Sequence, residues 1–151
     1  MIAVASDHAG FELKQEIIRF LEEENFSFRD FGTDSTASCD YAVYAYKAAK
    51  AIQSGECVRG ILVCGTGIGI SIAANKMKGI RCAVCSDCFS AVLSREHNDS
   101  NMIAFGSRVV GPGLARLITQ MWLDAGFQGQ RHQRRIDQIN DIENGQAPKE
   151  L

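Results

Sequence analysis

The chain has 151 residues, which suits one domain with one core, and we expect a single domain over residues 1–151. Hydrophobic residues make up 46% of the chain and charged residues 23%, as in an ordinary globular protein, and no segment approaches the roughly 20 apolar residues of a membrane helix. The formal net charge of −2 gives no general attraction to nucleic acid or to an anionic membrane, so we expect neither as a partner.

Short apolar or β-branched runs alternate with longer segments of helical period along the chain. The short runs predict five strands, at residues 2–5, 26–31, 60–64, 80–85 and 102–105. Helical spacing of apolar residues predicts helices over about residues 10–24, 41–52, 71–76 and 88–97, then an amphipathic helix over 114–125 and a last helix that carries Ile136, Ile139 and Ile142. This alternation predicts an α/β fold: a doubly wound, Rossmann-like, five-stranded parallel sheet with helices on both faces and a C-terminal helix.

Polar residues follow several of these strands directly. In doubly wound sheets, ligands bind at the carboxyl ends of the strands. Asp7 and His8 follow the first predicted strand, Cys64 ends the third, and Ser86-Asp87 follows the fourth. We therefore expect these residues to gather at one edge of the sheet. His97, which lies in a polar run before the fifth strand, is expected to reach the same edge.

The glycine-rich turn at Gly65, Gly67 and Gly69 predicts an anion site. Alternating glycines allow tight geometry, so that main-chain N–H groups converge in front of a helix N-terminus. A simple strand-to-helix turn is one alternative. A dinucleotide fingerprint is another, with Asp87 near the ribose-binding distance, but its third glycine would fall on Ile70 and the turn follows the third strand rather than the first.

Cys64 stands immediately before this turn. A thiol at a helix N-terminus ionises more readily and acts as a nucleophile or a base, although an inert buried cysteine is the alternative. Cys82, Cys85 and Cys88 have the spacing of an iron–sulfur loop, but the fourth position is Val92, and we interpret them as small core residues. The apolar run at the N-terminus has no basic flank, so we expect a cytoplasmic protein whose six cysteines are free thiols.

Two arginines near the C-terminus suit a phosphate. Arg131 and Arg135 are four residues apart, so they share one face of a helix and can bind phosphate oxygens in bidentate fashion. A solvated basic face is the alternative interpretation. Arg108, at the end of the fifth strand, is a third candidate. The three histidines, His8, His97 and His132, are too far apart in sequence for a local metal motif, so we expect no metal.

Seven ordered motifs together are more specific than the glycine turn alone. The chain resembles the type B ribose-5-phosphate isomerases, in the superfamily that includes galactose-6-phosphate and allose-6-phosphate isomerases. The resemblance covers nearly the whole chain. It lies in the segments Ser6-Asp-His-Ala-Gly10, Asp40-Tyr41, Cys64-Gly-Thr-Gly-Ile-Gly-Ile-Ser-Ile-Ala-Ala-Asn-Lys76, Gly79-Ile-Arg81, His97-Asn-Asp99, Phe105-Gly-Ser-Arg108 and Arg131-His132.

The resemblance implies an aldose–ketose isomerase that needs no cofactor. In this family the cysteine matching Cys64 is the base that moves a proton between C1 and C2. The turn containing Gly65, Gly67 and Gly69 stabilises the enediolate, and the residue matching Thr66 assists proton movement at the oxygens. The histidine matching His97 helps to open the furanose ring. Residues that contact the sugar match Asp7, Tyr41 and Asn98, and the phosphate-binding set matches His8, Arg108, Arg131 and Arg135.

The resemblance also implies a homodimer, or a tetramer, because the family's site lies between two subunits. Two positions depart from the family: Ala42 stands where proline is common, and Gln130 where glycine is common. They leave the choice between pentose and hexose phosphates open, while Cys64, Thr66 and His97 together favour ribose 5-phosphate. A sugar-phosphate sensor without turnover and a nucleotide-binding redox module are the competing functions.

Overall fold

The computed structural model describes residues 1–150, in which strands and helices alternate as the sequence predicts. The elements are β1 (Ile2–Ser6), α1 (Phe11–Glu23), β2 (Phe28–Asp30), α2 (Tyr41–Gln53), β3 (Arg59–Cys64), α3 (Ile68–Ala74), β4 (Cys82–Val84), α4 (Cys88–Glu96), β5 (Met102–Gly106), α5 (Pro112–Asp124) and α6 (Arg131–Glu143). Five strand–helix units are therefore followed by one further helix, and the predicted chain order is confirmed.

All five strands lie in one parallel sheet with the order β2-β1-β3-β5-β4. The central strand β3 pairs with β1 and β5, and its residues are almost entirely buried. Helices α1, α4 and α5 cover one face of the sheet, whereas α2 and α3 cover the other. Burial on both faces explains why the central strands are continuous apolar runs rather than alternating ones. The predicted doubly wound class is confirmed.

Two helices differ from their predicted form. Helix α3 begins at Ile68, three residues before the predicted start, because Gly67 adopts φ 80° and the chain enters the helix immediately after it. Helix α5 buries Ala115, Ile118 and Trp122, but Leu114 is exposed, as are Leu117 and Met121. The predicted apolar face of α5 is thus only partly a core face. No helix within residues 1–150 is both long and apolar enough to cross a membrane.

A buried lysine anchors the segment that connects β2 to α2. The Lys14 side chain is fully buried, and its Nζ donates hydrogen bonds to Asp30 Oδ1 (2.7 Å), Asp30 Oδ2 (2.5 Å) and the Thr33 carbonyl (2.6 Å). These three acceptors satisfy every donor of the ammonium group, which a buried charge requires. The contact ties α1 to the carboxyl end of β2, from which the chain continues to Tyr41.

Candidate active site

Cys64 is the last residue of β3, at the carboxyl edge of the sheet between β1 and β5. The side chain is almost fully buried, and its Sγ accepts a hydrogen bond from the Gly67 N–H at 3.1 Å. The Cys64 carbonyl accepts from the Ser107 N–H at 2.9 Å, which fixes the end of β3 to the end of β5. The thiol is therefore held in contact with the main chain of the glycine turn.

Glycine is required at two positions of this turn because other parts of the chain approach its main chain closely. A Cβ on Gly67 would lie 2.9 Å from the Phe105 main chain, and one on Gly69 would lie 2.8 Å from the Tyr41 ring. Any side chain at these positions would force its neighbours apart. Thr66 is exposed, and its Oγ1 accepts from the Ile68 N–H at 3.3 Å. Within residues 1–150 the N–H groups of Gly65 and Thr66 have no hydrogen-bond acceptor, so they are free to donate to an anion.

Four more of the expected site residues lie at this edge of the sheet. Together with Cys64 and the 65–69 turn, they form a group that we call the carboxyl-end cluster. Asp7 is buried and its Oδ1 accepts from the Gly10 N–H at 2.9 Å, which holds the start of α1. His8 Nδ1 lies 3.1 Å from main-chain atoms of Cys39. Tyr41 packs its ring on the turn, and an Arg108 guanidinium nitrogen lies 3.0 Å from where a Gly65 Cβ would be.

The remaining expected residues form a second group, which we call the amino-end cluster: His97, Asn98, Arg131 and Arg135, with His132 beside them. His97 follows the last residue of α4 and stacks on His132, with ring centroids 4.2 Å apart and an angle of 7° between the rings. Arg131 and Arg135 are four residues apart on α6, and both are exposed. Asn98 is also exposed, in the segment that leads into β5.

The two clusters lie at opposite ends of the sheet. Helix α4 runs antiparallel to the strands, so its last residues lie near the beginning of β5, whereas Cys64 pairs with Gly106 at the end of β5. A strand of this length rises by about 13 Å. The expectation that His97 reaches the ligand edge is therefore wrong within one copy of the chain, because the helix that carries it returns to the amino ends of the strands.

His132 is a site residue to which the sequence assigned no role. It is buried beside His97, and its Nε2 has no hydrogen-bond partner within residues 1–150. Burial lowers the pKa of His132, and positive charge on His97, Arg131 and Arg135 lowers it further. The adjacent ring of His97 and the two arginines thus favour a neutral imidazole. Its only sequence signal was its place in the Arg131-His132 motif.

The chain enters α6 through a strained residue. Gln130 has φ 49° and ψ −120°, and the His132 N–H donates to the Gly129 carbonyl at 2.9 Å. These angles are those of the first central position of a type II′ turn, which glycine dominates because other residues clash there. The glutamine at the position where the resemblance leads one to expect glycine therefore imposes backbone strain next to Arg131.

We expect Gln130→Gly to raise the free energy of unfolding by about 1 kcal/mol, because relief of strain exceeds the entropy that glycine adds to the unfolded chain. Urea or thermal unfolding measures the change. Gln133→Gly is the matched control: Gln133 lies inside α6, where glycine costs about 0.5–1 kcal/mol. A destabilised Gln130→Gly protein would show that the turn is not strained.

Cys82, Cys85 and Cys88 all pack in or against the core, as predicted, although only Cys85 of the three is fully buried. Cys82 and Cys85 pack on opposite faces of the sheet; burial raises the pKa of Cys82 and raises that of Cys85 to about 11. Both therefore remain protonated near neutral pH. Asp87, the residue at the ribose-binding distance, accepts from the Ser90 N–H at 2.7 Å and begins α4 instead. Among residues 1–150, no group of three or more His, Cys, Asp or Glu side chains is arranged to hold a metal ion.

A parallel α/β sheet with a thiol and a glycine turn at its carboxyl edge suits an enzyme of the α/β class that binds its ligand at that edge. The family model described as Ribose/Galactose Isomerase matches residues 2–139, and the chain belongs to that family. It is thus an isomerase. The residue-level resemblance noted in the sequence is confirmed at the level of the family.

Individual relatives agree with the family assignment. Ribose-5-phosphate isomerase B of Escherichia coli is 54% identical over 142 residues, which are 94% of this chain and 95% of the relative. D-erythrulose-4-phosphate isomerase of Pectobacterium atrosepticum is 42% identical over 143 residues, 94% of each chain. A structure of ribose-5-phosphate isomerase B from Clostridium thermocellum matches with a TM-score of 0.94 and 52% identity, covering 95% of this chain and 97% of that one.

Proposed function

We propose that this chain, as one isomerase domain, interconverts ribose 5-phosphate and ribulose 5-phosphate through an enediolate without a cofactor. The observation that carries the proposal is the position of Cys64, whose Sγ lies against the main chain of the 65–69 turn. In the proposed reaction the Cys64 thiolate removes the proton from C2 of the open-chain aldose and returns it to C1. In the same sequence the O2 hydroxyl loses its proton and O1 gains one, so atoms and charge balance.

The glycine turn is proposed to stabilise the charge that develops on the oxygens. The unpaired N–H groups of Gly65 and Thr66 lie next to the thiol, and preorganised main-chain donors of this kind stabilise an enediolate more than its neutral precursor. The exposed Thr66 hydroxyl is placed to move the proton between O2 and O1. Gly67 and Gly69 keep the turn in this shape.

The separation of the two clusters supports a site shared between two copies of the chain. We assign ring opening to His97 and part of the sugar contacts to Asn98, and both lie at the far end of the sheet from Cys64. A second copy placed with its amino-end cluster against the carboxyl-end cluster of the first completes the site. Twofold symmetry then completes two such sites at once. A homodimer is the smallest assembly that meets this requirement, and a tetramer contains it twice.

Within this shared site, the sugar and the phosphate contact different residues. Asp7 and Tyr41 hold the sugar from the carboxyl-end cluster, and Asn98 holds it from the partner. The phosphate is bound by two groups from one copy, His8 and Arg108, and by two from the other, Arg131 and Arg135. Four groups of this kind form charge-assisted hydrogen bonds with a dianion, which are the strong class of hydrogen bond in proteins.

We expect Arg131→Ala and Arg135→Ala each to raise KM more than they lower kcat. The phosphate does not react, so it is bound similarly in the ground and transition states. Each charge-assisted contact contributes about 1.5–3 kcal/mol, which corresponds to about ten- to a hundredfold in KM. Steady-state kinetics with ribose 5-phosphate measures both constants. A wild-type KM in both variants would show that these arginines are a solvated helix face.

The substrate is tested by one coupled assay with ribose 5-phosphate, allose 6-phosphate, galactose 6-phosphate and erythrulose 4-phosphate. We expect the highest kcat/KM for ribose 5-phosphate. The relative that acts on D-erythrulose 4-phosphate makes that tetrose phosphate the second candidate. Binding of ribose 5-phosphate without turnover of any of the four would favour a sensor. Binding of a nicotinamide or flavin in place of sugar phosphates would favour the redox module.

The proposed mechanism predicts that chelation leaves the rate unchanged. Proton transfer by a thiolate with main-chain stabilisation of the enediolate uses no metal ion. We expect prolonged dialysis against EDTA to leave kcat and KM within error of the untreated protein. Activity that is lost on dialysis and restored by zinc or manganese would contradict the mechanism.

A further inference from the structure

Asn98 lies in a short segment that an arginine holds by its main chain. Arg81 Nε donates to the Asn98 carbonyl at 3.0 Å and to the Asp99 carbonyl at 3.1 Å. Its Nη2 donates to the Asp99 carbonyl at 2.9 Å and to Asp99 Oδ2 at 2.8 Å. The main chain adds to this contact, because the Arg81 N–H donates to Asn101 Oδ1 at 2.8 Å. One guanidinium group therefore fixes two consecutive peptide carbonyls.

The segment needs such support because it leaves α4 abruptly. Asp99 has φ 46°, in the left-handed region, and turns the chain from the helix toward β5. Carbonyls beyond a helix end have no partner within the helix. Arg81 supplies donors to these carbonyls, and Arg95 holds the other Asp99 oxygen at 2.7 Å. The two arginines thus stabilise a conformation that an aspartate adopts less readily than glycine.

His97 and Asn98 depend on different contacts. His97 belongs to the end of α4, where its N–H donates to the Leu93 carbonyl at 2.9 Å, and its ring is stacked on His132. Asn98 has an exposed side chain that forms no hydrogen bond within residues 1–150. The point from which its side chain extends is therefore set by its main chain, and that main chain is bonded to Arg81.

We propose that Arg81 is a positioning residue for Asn98, which it holds in the geometry that contacts the sugar in the shared site. The inference rests on the proposed function, which assigns Asn98 to the sugar. Arg81 does not itself touch the substrate; it acts through the carbonyls of residues 98 and 99. Neither Arg81 nor Asp99 has a role in the proposed chemistry, although both lie in motifs that the sequence singles out.

The contact geometry predicts that substitutions at Arg81 and at Asp99 have effects of different size. A guanidinium group has several donors in a fixed plane, whereas lysine has one ammonium that cannot reproduce the fork. Three of the four side-chain hydrogen bonds of Arg81 go to carbonyl oxygens and only one goes to the Asp99 carboxylate. Asp99→Asn keeps the carbonyls and tolerates the left-handed conformation. It should therefore have a milder effect than a change at Arg81.

We expect Arg81→Met to lower kcat/KM for ribose 5-phosphate by about ten- to a hundredfold, the scale of a displaced contact group. Arg81→Lys should lose less, and Asp99→Asn less again. Arg29→Met is the matched control. Arg29 is an exposed arginine on β2 that is paired with Glu56, and its replacement should leave kcat/KM unchanged. Thermal unfolding of each variant reports whether the fold is retained.

A double-mutant cycle decides between positioning and a general structural role. If Arg81 acts through Asn98, Arg81→Met should change kcat/KM by less than about twofold in an Asn98→Ala background. In a His97→Ala background it should keep its full effect, because His97 is held by other contacts. A structural role would give the full effect in both backgrounds and would overturn the proposal. Should Arg81→Met fail to fold, the same cycle is run with Arg81→Lys.

The failure of this inference and the failure of the proposed function give different results. If Asn98→Ala keeps wild-type kcat/KM, the assignment of Asn98 to the sugar is wrong, and the inference falls with it. If Asn98→Ala is impaired but Arg81→Met costs the same in both backgrounds, the assignment of Asn98 stands and only the role of Arg81 is wrong.

Discussion

Cys64→Ala is expected to lower kcat for ribose 5-phosphate by about 10²–10⁴-fold, the usual contribution of a general base. In the proposed reaction the thiolate of Cys64, immediately before the turn, takes the proton from carbon, whereas Thr66 offers only a hydroxyl. Binding of a phosphate ligand should change little, because the phosphate contacts are assigned to other residues. A stopped or coupled assay measures kcat, and titration with a non-reacting sugar phosphate measures the binding.

Two further variants separate chemistry from packing at this position. Cys64→Ser keeps the size of the side chain but replaces the thiol with a far weaker acid, so it should be nearly as inactive as the alanine variant. Cys57→Ala removes a similarly buried thiol just before the start of β3 and should keep kcat within a few-fold. If Cys64→Ser or Cys64→Ala retained near-wild-type kcat, Cys64 would be a packing residue.

Most of the fold and one half of the site follow from local patterns in the sequence. A strand buried on both faces is an apolar run, as in residues 60–64, and its end is marked by the first glycine or polar residue. The position of Cys64 and of the turn after it could therefore be predicted directly. The carboxyl-end cluster assembles because parallel strands end at one edge.

The amino-end cluster required information that spacing does not contain. The stack of His97 on His132 joins residues 35 positions apart, and only the path of α6 brings them together. The end of the sheet at which His97 lies could have been predicted, because a helix that follows a parallel strand must end near the amino ends of the strands. The prediction for His97 relied instead on its polar neighbours in the sequence, which do not indicate at which edge of the sheet a residue lies.

Ion pairs between distant parts of the chain were the other unpredicted feature. Lys14 lies on the core side of α1, and its apolar neighbours in the helix gave no signal that its ammonium would meet Asp30. Arg81 and Asp99 lie in separate motifs whose meeting depends on the pairing of β4 with β5. In each case the partner is brought in by the tertiary fold, so a pattern within one element could not reveal it.

We expect two inactive variants to regain activity when their chains are mixed, because the proposed site is shared between two copies. Cys64→Ala lacks the base and His97→Ala lacks the ring-opening group, and each homodimer should have two defective sites. In a heterodimer one site combines the intact Cys64 of one copy with the intact His97 of the other, while the second site carries both changes. Random mixing of the two chains should therefore restore about a quarter of wild-type activity, because half of the dimers have one working site.

The experiment requires that the two variants exchange subunits, so that heterodimers form. The two variants are unfolded and refolded together, and light scattering checks that the product is a dimer or larger. Mixing without exchange should give no activity, and mixing Cys64→Ala with Cys64→Ser should give none under any condition, because no combination supplies the base. If both residues worked within one copy, every heterodimer would contain only broken sites, and refolding the two variants together would restore nothing. An active monomer would contradict the shared site equally, since the two clusters lie at opposite ends of its sheet.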